Sequence, residues 1–168
     1  MDGEIINKVA QSGIISIDLE KLYPEGERIV FDIAPLLVEG FMLREKDFRE
    51  FVKQHDWSSY SGKYIALFCS TDAVIPTWAW MLLTTNLSPF AMNIVMGNLE
   101  MLESEIFNEV LQKFDLTPYK DQRVVIKGCA NKPVPVNAYV KLTALLTPLA
   151  KSVMFGEPCS TVPVFKRK

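Results

Sequence analysis

Residues Tyr64 to Trp80, YIALFCSTDAVIPTWAW, settle the class of architecture this chain can adopt. Apolar or small residues from Tyr64 to Phe68 stop at Cys69, the polar cluster Ser70-Thr71-Asp72 comes next, and a second apolar run begins. A short apolar run bounded by turn formers predicts a buried strand. Ser, Thr and Asp cap helix starts, and Pro76 suits a first helical turn. The stretch therefore predicts a strand, a tight turn carrying a thiol, and a helix ending near Thr85.

Downstream, Asn86-Leu87-Ser88-Pro89 breaks the chain, and Phe90 to Met96 is a further strand candidate. Gly97-Asn98 precedes the clearest helix, Leu99 to Phe114, with Leu99, Leu102, Ile106, Val110 and Phe114 in one stripe. The acidic row Glu100, Glu103, Glu105 and Glu109 reads as its solvated face. Arg123 to Lys127 is a strand closed by Gly128-Cys129, and a Pro-rich connection leads to a helix from about Asn137 to Phe155. Thr161 to Phe165 ends the chain as a strand that Pro163 places at an edge.

Upstream of Tyr64, the residues Ile5, Ile6 and Val9 give a helix over Asp2 to Gln11, and Gly13 to Asp18 reads as a strand. A turn at Tyr23 to Gly26 leads to a strand over Arg28 to Val38. Glu45 to His55 then forms an amphipathic helix with Phe48, Phe51 and Val52 inward. Strands alternating with helices predict the α/β class: one domain over residues 1–168, with a mixed, mostly parallel sheet flanked by helices. Antiparallel strands are expected at one edge, contributed by the closely spaced front section. No repeat of solenoid length and no Gly/Ser-rich linker is visible.

Composition narrows the function classes. With 168 residues, 49% hydrophobic and 23% charged, the chain has the make-up of a globular protein. A net charge of −2 supplies no field for nucleic acid, and Lys166-Arg167-Lys168 reads as a solvated tail. Met1-Asp2-Gly3-Glu4 shows no basic leader, and the longest apolar-rich run, Ala73 to Leu83, is too short to span a bilayer, so a cytoplasmic protein without a membrane partner is expected. Three cysteines, an odd number, argue against a disulfide framework. There is no Walker loop, no G-x-G-x-x-G and no G-x-S-x-G. His55, the single histidine, ends a charged helix and reads as surface.

The chemistry then rests on Cys69, Cys129 and Cys159. In open α/β sheets sites form outside the carboxyl ends of parallel strands. Cys69 and Cys129 follow their strands, whereas Cys159 reaches the same rim only if the final strand runs antiparallel. Three thiolates suit zinc, copper(I), iron or an iron–sulfur cluster, with Asp72, Glu157, water or a partner as fourth ligand. Alternatively, Cys69 or Cys129 is a nucleophile, activated by a helix N-terminus or by Lys132. Backbone N–H groups after Cys69, with Ser70, Thr71 and Lys132, offer a third reading as a small-anion site. Cys-Ser-Thr recurs as Cys159-Ser160-Thr161, which adds Ser160 and Thr161 to the supporting residues. Against all three stands plain packing, since free Cys is among the most buried residue types. A non-catalytic module dimerising through its apolar surface is the reading that needs no thiol chemistry.

The runs ALFCSTDAVIPTWAWMLL, VVIKGCANKPVPVNAYVKL and FGEPCSTVPVFKRK resemble an uncharacterised bacterial family, domain of unknown function 2480. The resemblance covers the whole chain, and each run contains one cysteine. It implies a small cytosolic protein and, through gene neighbourhoods for iron–sulfur cluster assembly, favours the metal reading with assembly proteins as partners. It carries over no catalytic residues.

Overall fold

The computed structural model describes residues 13–128 and 131–168; the helix expected over Asp2 to Gln11 lies outside them. The elements in chain order are β1 (Ile14–Asp18), β2 (Arg28–Asp32), α1 (Glu45–Gln54), β3 (Tyr64–Phe68), α2 (Thr77–Leu87), β4 (Asn93–Met96), α3 (Leu99–Gln112), β5 (Arg123–Lys127), α4 (Val136–Leu146), β6 (Ser152–Glu157) and β7 (Ser160–Lys166). The class is α/β, as expected, but the strands form two sheets, ordered β1-β5-β6-β7 and β2-β3-β4. Every neighbouring pair is parallel except β6 and β7. The antiparallel edge is therefore built by the last strand and not by the front section. β1 and β2, close in sequence, join different sheets, and each pairs in parallel with a strand much later in the chain.

The chain divides into two compact units, with the boundary inside α3, between Ile106 and Phe107. The contiguous unit, Pro24–Ile106, holds β2-β3-β4. On one face of this sheet Phe31, Ile65 and Leu67 pack with Phe48 and Val52 of α1 and Ala79, Leu83 and Leu87 of α2. On the other face Tyr64 and Ala66 meet Leu102 and Ile106 of α3. Burial from both sides is why the central strand YIALF carries no polar alternation. Glu103, expected at the solvated face of its helix, is buried instead, and its Oε1 accepts from Arg28 Nε at 2.7 Å. Arg28 also donates to the carbonyls of Pro24 and Gly26 and lies 4.7 Å from the centroid of the Tyr64 ring. A buried carboxylate needs such a partner, so the side facing Arg28 overrides the acidic row.

The second unit joins the described residues up to Tyr23 with Phe107–Lys168 and holds β1-β5-β6-β7. Ile17, Val124, Ile126 and Val153 pack with Phe107 and Leu111 of α3 and with Ala138, Leu142 and Leu146 of α4.

The two units repeat one design. The buried helix residues Ala79, Leu83 and Leu87 recur as Ala138, Leu142 and Leu146, a constant displacement of 59 positions (138 − 79). At the same displacement Phe48 and Val52 correspond to Phe107 and Leu111, all four buried. Pro76 and Pro135 both precede their helices, and both accept at 2.9 Å from the third residue on. Ser88 Oγ and Thr147 Oγ1 bond back to the carbonyls of Thr84 and Thr143. Asp56 and Asp115 both accept from the N–H two residues later. The front strands conform to the same plan, since β2 enters β3 at Arg28↔Tyr64 and β1 enters β5 at Ile14↔Arg123, and Tyr64 and Arg123 are themselves 59 apart (123 − 64). The units part company after Gly97 and Gly156, both at positive φ. Gly97 leads into α3, whereas Gly156 leads into the β6–β7 hairpin.

Two boundaries differ by more than three residues from those the sequence predicts. The helix expected to run to Phe155 stops at Leu146, and the residues from Ser152 pair with β5. Pro148 cannot continue the helix, and Val153-Met154-Phe155 suits a strand with a neighbour waiting. The strand expected to reach Val38 ends at Asp32, with a 3₁₀ turn at Ala34–Leu36 built on Pro35.

Candidate functional site

Parallel strands aim their carboxyl ends at one rim in each unit. In the contiguous unit this rim holds Asp32, Cys69 and Asn98. Asp32 Oδ1 accepts from Ala34 N–H and Ser70 N–H, each at 3.0 Å. Desolvation pushes the Asp32 carboxyl up, but the Ser70 side chain and these two N–H groups outweigh it and hold the carboxyl below its ordinary value. Cys69 is half-buried, its Sγ 3.4 Å from Thr71 Oγ1 and 3.5 Å from the Thr71 carbonyl. Ser70, Thr71 and Asp72 are turn residues and do not cap the next helix, whose N-cap is Pro76 without a side-chain bond. α2 starts eight residues after Cys69 (77 − 69), so its N-terminus is not beside the thiol in sequence as expected. The small-anion reading loses ground here for a second reason. A carboxylate of the chain itself, that of Asp32, already takes the first N–H after Cys69. Beside the rim, Val30, Phe68, Asn98, Leu99 and Glu100 line a shallow, mostly apolar hollow of about 410 Å³.

In the other unit β7 runs antiparallel to β6, which places Cys159 at the hairpin tip on the carboxyl-end rim. Cys159 is exposed, next to Ser160, which pairs with Glu157, while Thr161 pairs with Gly156. Glu157 Oε2 lies 3.5 Å from Lys127 Nζ at the end of β5. Asp18 accepts from Glu20 N–H at 3.1 Å, and Glu20 Oε1 accepts from Asn131 N–H at 3.0 Å. Lys132, expected beside Cys129, holds its ammonium 5.3 Å from the centroid of the Tyr23 ring.

The predicted residues thus fall into two groups. Cys69 sits with Ser70 and Thr71 in one unit, while Cys159 sits with Glu157, Ser160 and Thr161 in the other. Cys129 lies outside the described residues. Among the described residues no three His, Cys, Asp or Glu side chains gather closely enough to hold a metal ion. Nor is Cys129 the counterpart of Cys69. The interval between them is 60 residues (129 − 69) against a repeat of 59, so Gly128 corresponds to Cys69. A Cβ on Gly128 would come within 3.2 Å of Glu20 N at a φ of 134°, so a cysteine there would be crowded and its backbone strained.

Two residues fall elsewhere than expected. His55 is half-buried, with Nε2 3.1 Å from Tyr60 Oη and its ring packed against Phe51 and Trp57. Asp32 is a rim residue that sequence motifs miss, although Asp closes both β1 and β2 and accepts the N–H two residues on in each. That double occurrence is the signal the chain offers.

Among the described residues no helix is long and apolar enough to cross a membrane. No curated protein and no solved structure matches the chain. A family model described as "Protein of unknown function (DUF2480)" matches residues 3–167, and the chain belongs to that family.

Proposed function

We propose that this family member is an accessory binding protein that takes a soft metal ion or an iron–sulfur cluster on its cysteine thiolates. The observation that carries the reading is Cys159, exposed at a hairpin tip and not packed as a small hydrophobe. Soft thiolates select zinc, copper(I) and iron–sulfur clusters. Cys159 and Cys129 would anchor the ligand, with Glu157 as an oxygen donor. The role would be cytoplasmic, in assembly or repair of clusters alongside assembly proteins, with a homodimer sharing ligands as one way to complete the donor set.

Protein purified without oxygen tests the reading by ultraviolet–visible spectra and metal analysis, on the wild type and on Cys69→Ser, Cys129→Ser and Cys159→Ser. Stoichiometric metal that is lost in Cys159→Ser supports it. Metal-free protein that fails reconstitution with iron and sulfide, and with zinc, overturns it.

The second reading, a thiol nucleophile, is favoured by Cys69, which is half-buried and held against Thr71. Selective alkylation of Cys69 at neutral pH would support it, and uniformly slow thiols would end it.

A further inference from the structure

We propose that the unit holding β1-β5-β6-β7 carries a second binding site, unrelated to the thiols, for a small organic anion with an apolar body. A cavity of about 360 Å³ is lined by Arg123, Lys151, Ser152 and Lys166 together with Met154, Pro163 and Phe165. Its volume falls at the small end of ordinary ligand pockets. Three of its seven lining residues are cationic and none is acidic, in a chain whose net charge is −2.

Strand pairing explains how the cations assemble. Arg123 on β5 faces Ser152 on β6, and Ser152 faces Lys166 on β7, so one row across three strands brings two positive side chains to a hydroxyl. Lys151 adjoins the row, and Met154 lies two residues on along the same side of β6. β7 is bulged against Val153 and Met154, which brings Pro163 opposite Met154.

The repeat allows the same sheet face to be compared in the two units. The counterparts of Arg123, Lys151 and Met154 in the contiguous unit are Tyr64, Met92 and Val95, each 59 positions earlier (123 − 64). There Tyr64 and Val95 pack against Leu102 and Ile106 of α3, so a helix fills that face. In the second unit the residues after Gly156 form a hairpin, and the corresponding face bears a cavity edged by cations. Lys151 stands where the first copy has the exposed Met92, so the second copy carries a cation at the edge of this face. The fit is to a carboxylate or phosphate group on the Lys151 and Lys166 ammonium groups, with a flat apolar body along Met154, Pro163 and Phe165.

The test is titration of the full chain with phenyl phosphate, monitored by amide shifts in heteronuclear NMR, with inorganic phosphate and benzyl alcohol as controls. The expected result is saturable shifts at Ser152, Met154 and Lys166, stronger for phenyl phosphate than for either control. Lys151→Gln with Lys166→Gln should weaken binding about tenfold or more while leaving the rest of the spectrum in place. If that variant disturbs the fold, loss of affinity with rising salt in the wild type serves as the second measurement of the charge contribution. The proposal is overturned by absence of saturable shifts at these amides, by equal binding of benzyl alcohol, by inorganic phosphate binding as well as phenyl phosphate, or by affinity indifferent to both the variant and salt.

Discussion

Through β3, α2 and β4, and again through β5, α4 and β6, the chain lays down the same strand, helix and strand, with the same residues buried on the helix. The difference begins at the closing glycine. Beyond Gly97 the contiguous unit continues into a helix that packs on the second face of its sheet, and a charged pair is buried there with it. Beyond Gly156 the other unit continues into a hairpin, which adds an edge strand and presents an exposed thiol. Repeated design fixes the scaffold, and divergence after one glycine sets the chemistry of each rim and face.

The sharpest way to separate the units is the Arg28–Glu103 pair, whose side chains are only 10% and 8% exposed. Glu103→Ala leaves Arg28 buried without its carboxylate and should cost about 3–5 kcal/mol in chemical denaturation. Replacing both residues with Met and Leu should recover most of that loss. A loss under about 1 kcal/mol for Glu103→Ala would mean that the pair is solvated in solution. Next come matched truncations. Leu83→Ala and Leu142→Ala remove the same fully buried side chain from each copy and should each cost about 3 kcal/mol. Strongly unequal losses would show that the two cores are not packed alike. Smaller again, Gly97→Ala and Gly156→Ala force a side chain into left-handed backbone at φ 140° and 116° and should cost about 1–3 kcal/mol each. Gly156→Ala should cost the more, because its Cβ meets the Ser160 carbonyl oxygen at 2.7 Å, a backbone atom, whereas at Gly97 the obstacle is the flexible Met101 side chain.

The smallest effect concerns Asp32. Its folded-state pKa lies below the ordinary 3.8, so its hydrogen bonds stabilise the fold above that pH and are lost as pH falls through the lowered value. Asp32→Asn should therefore lower stability at neutral pH, and its difference from wild type should shrink on acidification. A difference that stays constant with pH would assign the loss to shape alone.

Much of the scaffold was legible locally. Tyr64 to Phe68 and Arg123 to Lys127 are apolar runs that burial on both faces requires, and α1 shows its inward Phe48 and Val52 by spacing. The repeat was not legible, because only twelve of the fifty positions from Phe48 to Gly97 keep their residue 59 places later. Those twelve include Pro76, Ala79, Leu83, Thr84, Leu87, Pro89, Ala91 and Gly97, residues any single helix and turn would use. The cysteines hid the repeat further, since aligning Cys69 with Cys129 sets the register off by one. The split into two sheets was also beyond local reading, because a strand's own sequence does not name its neighbour. At the site, exposure of Cys159 came from an antiparallel β7 that Pro163 permitted but did not dictate. The burial of Glu103 depended on Arg28, which is 75 residues away.

The pairing of β1 with β5 has a consequence for how the molecule comes into being. The contiguous unit is complete once residue 106 has been made, so its sheet can close while synthesis continues. β1 emerges earlier still, yet Ile14 finds its partner in Arg123, 109 residues downstream (123 − 14). Until then β1 waits with an open border, so slow or interrupted translation past residue 106 is where this chain is most exposed to mispairing.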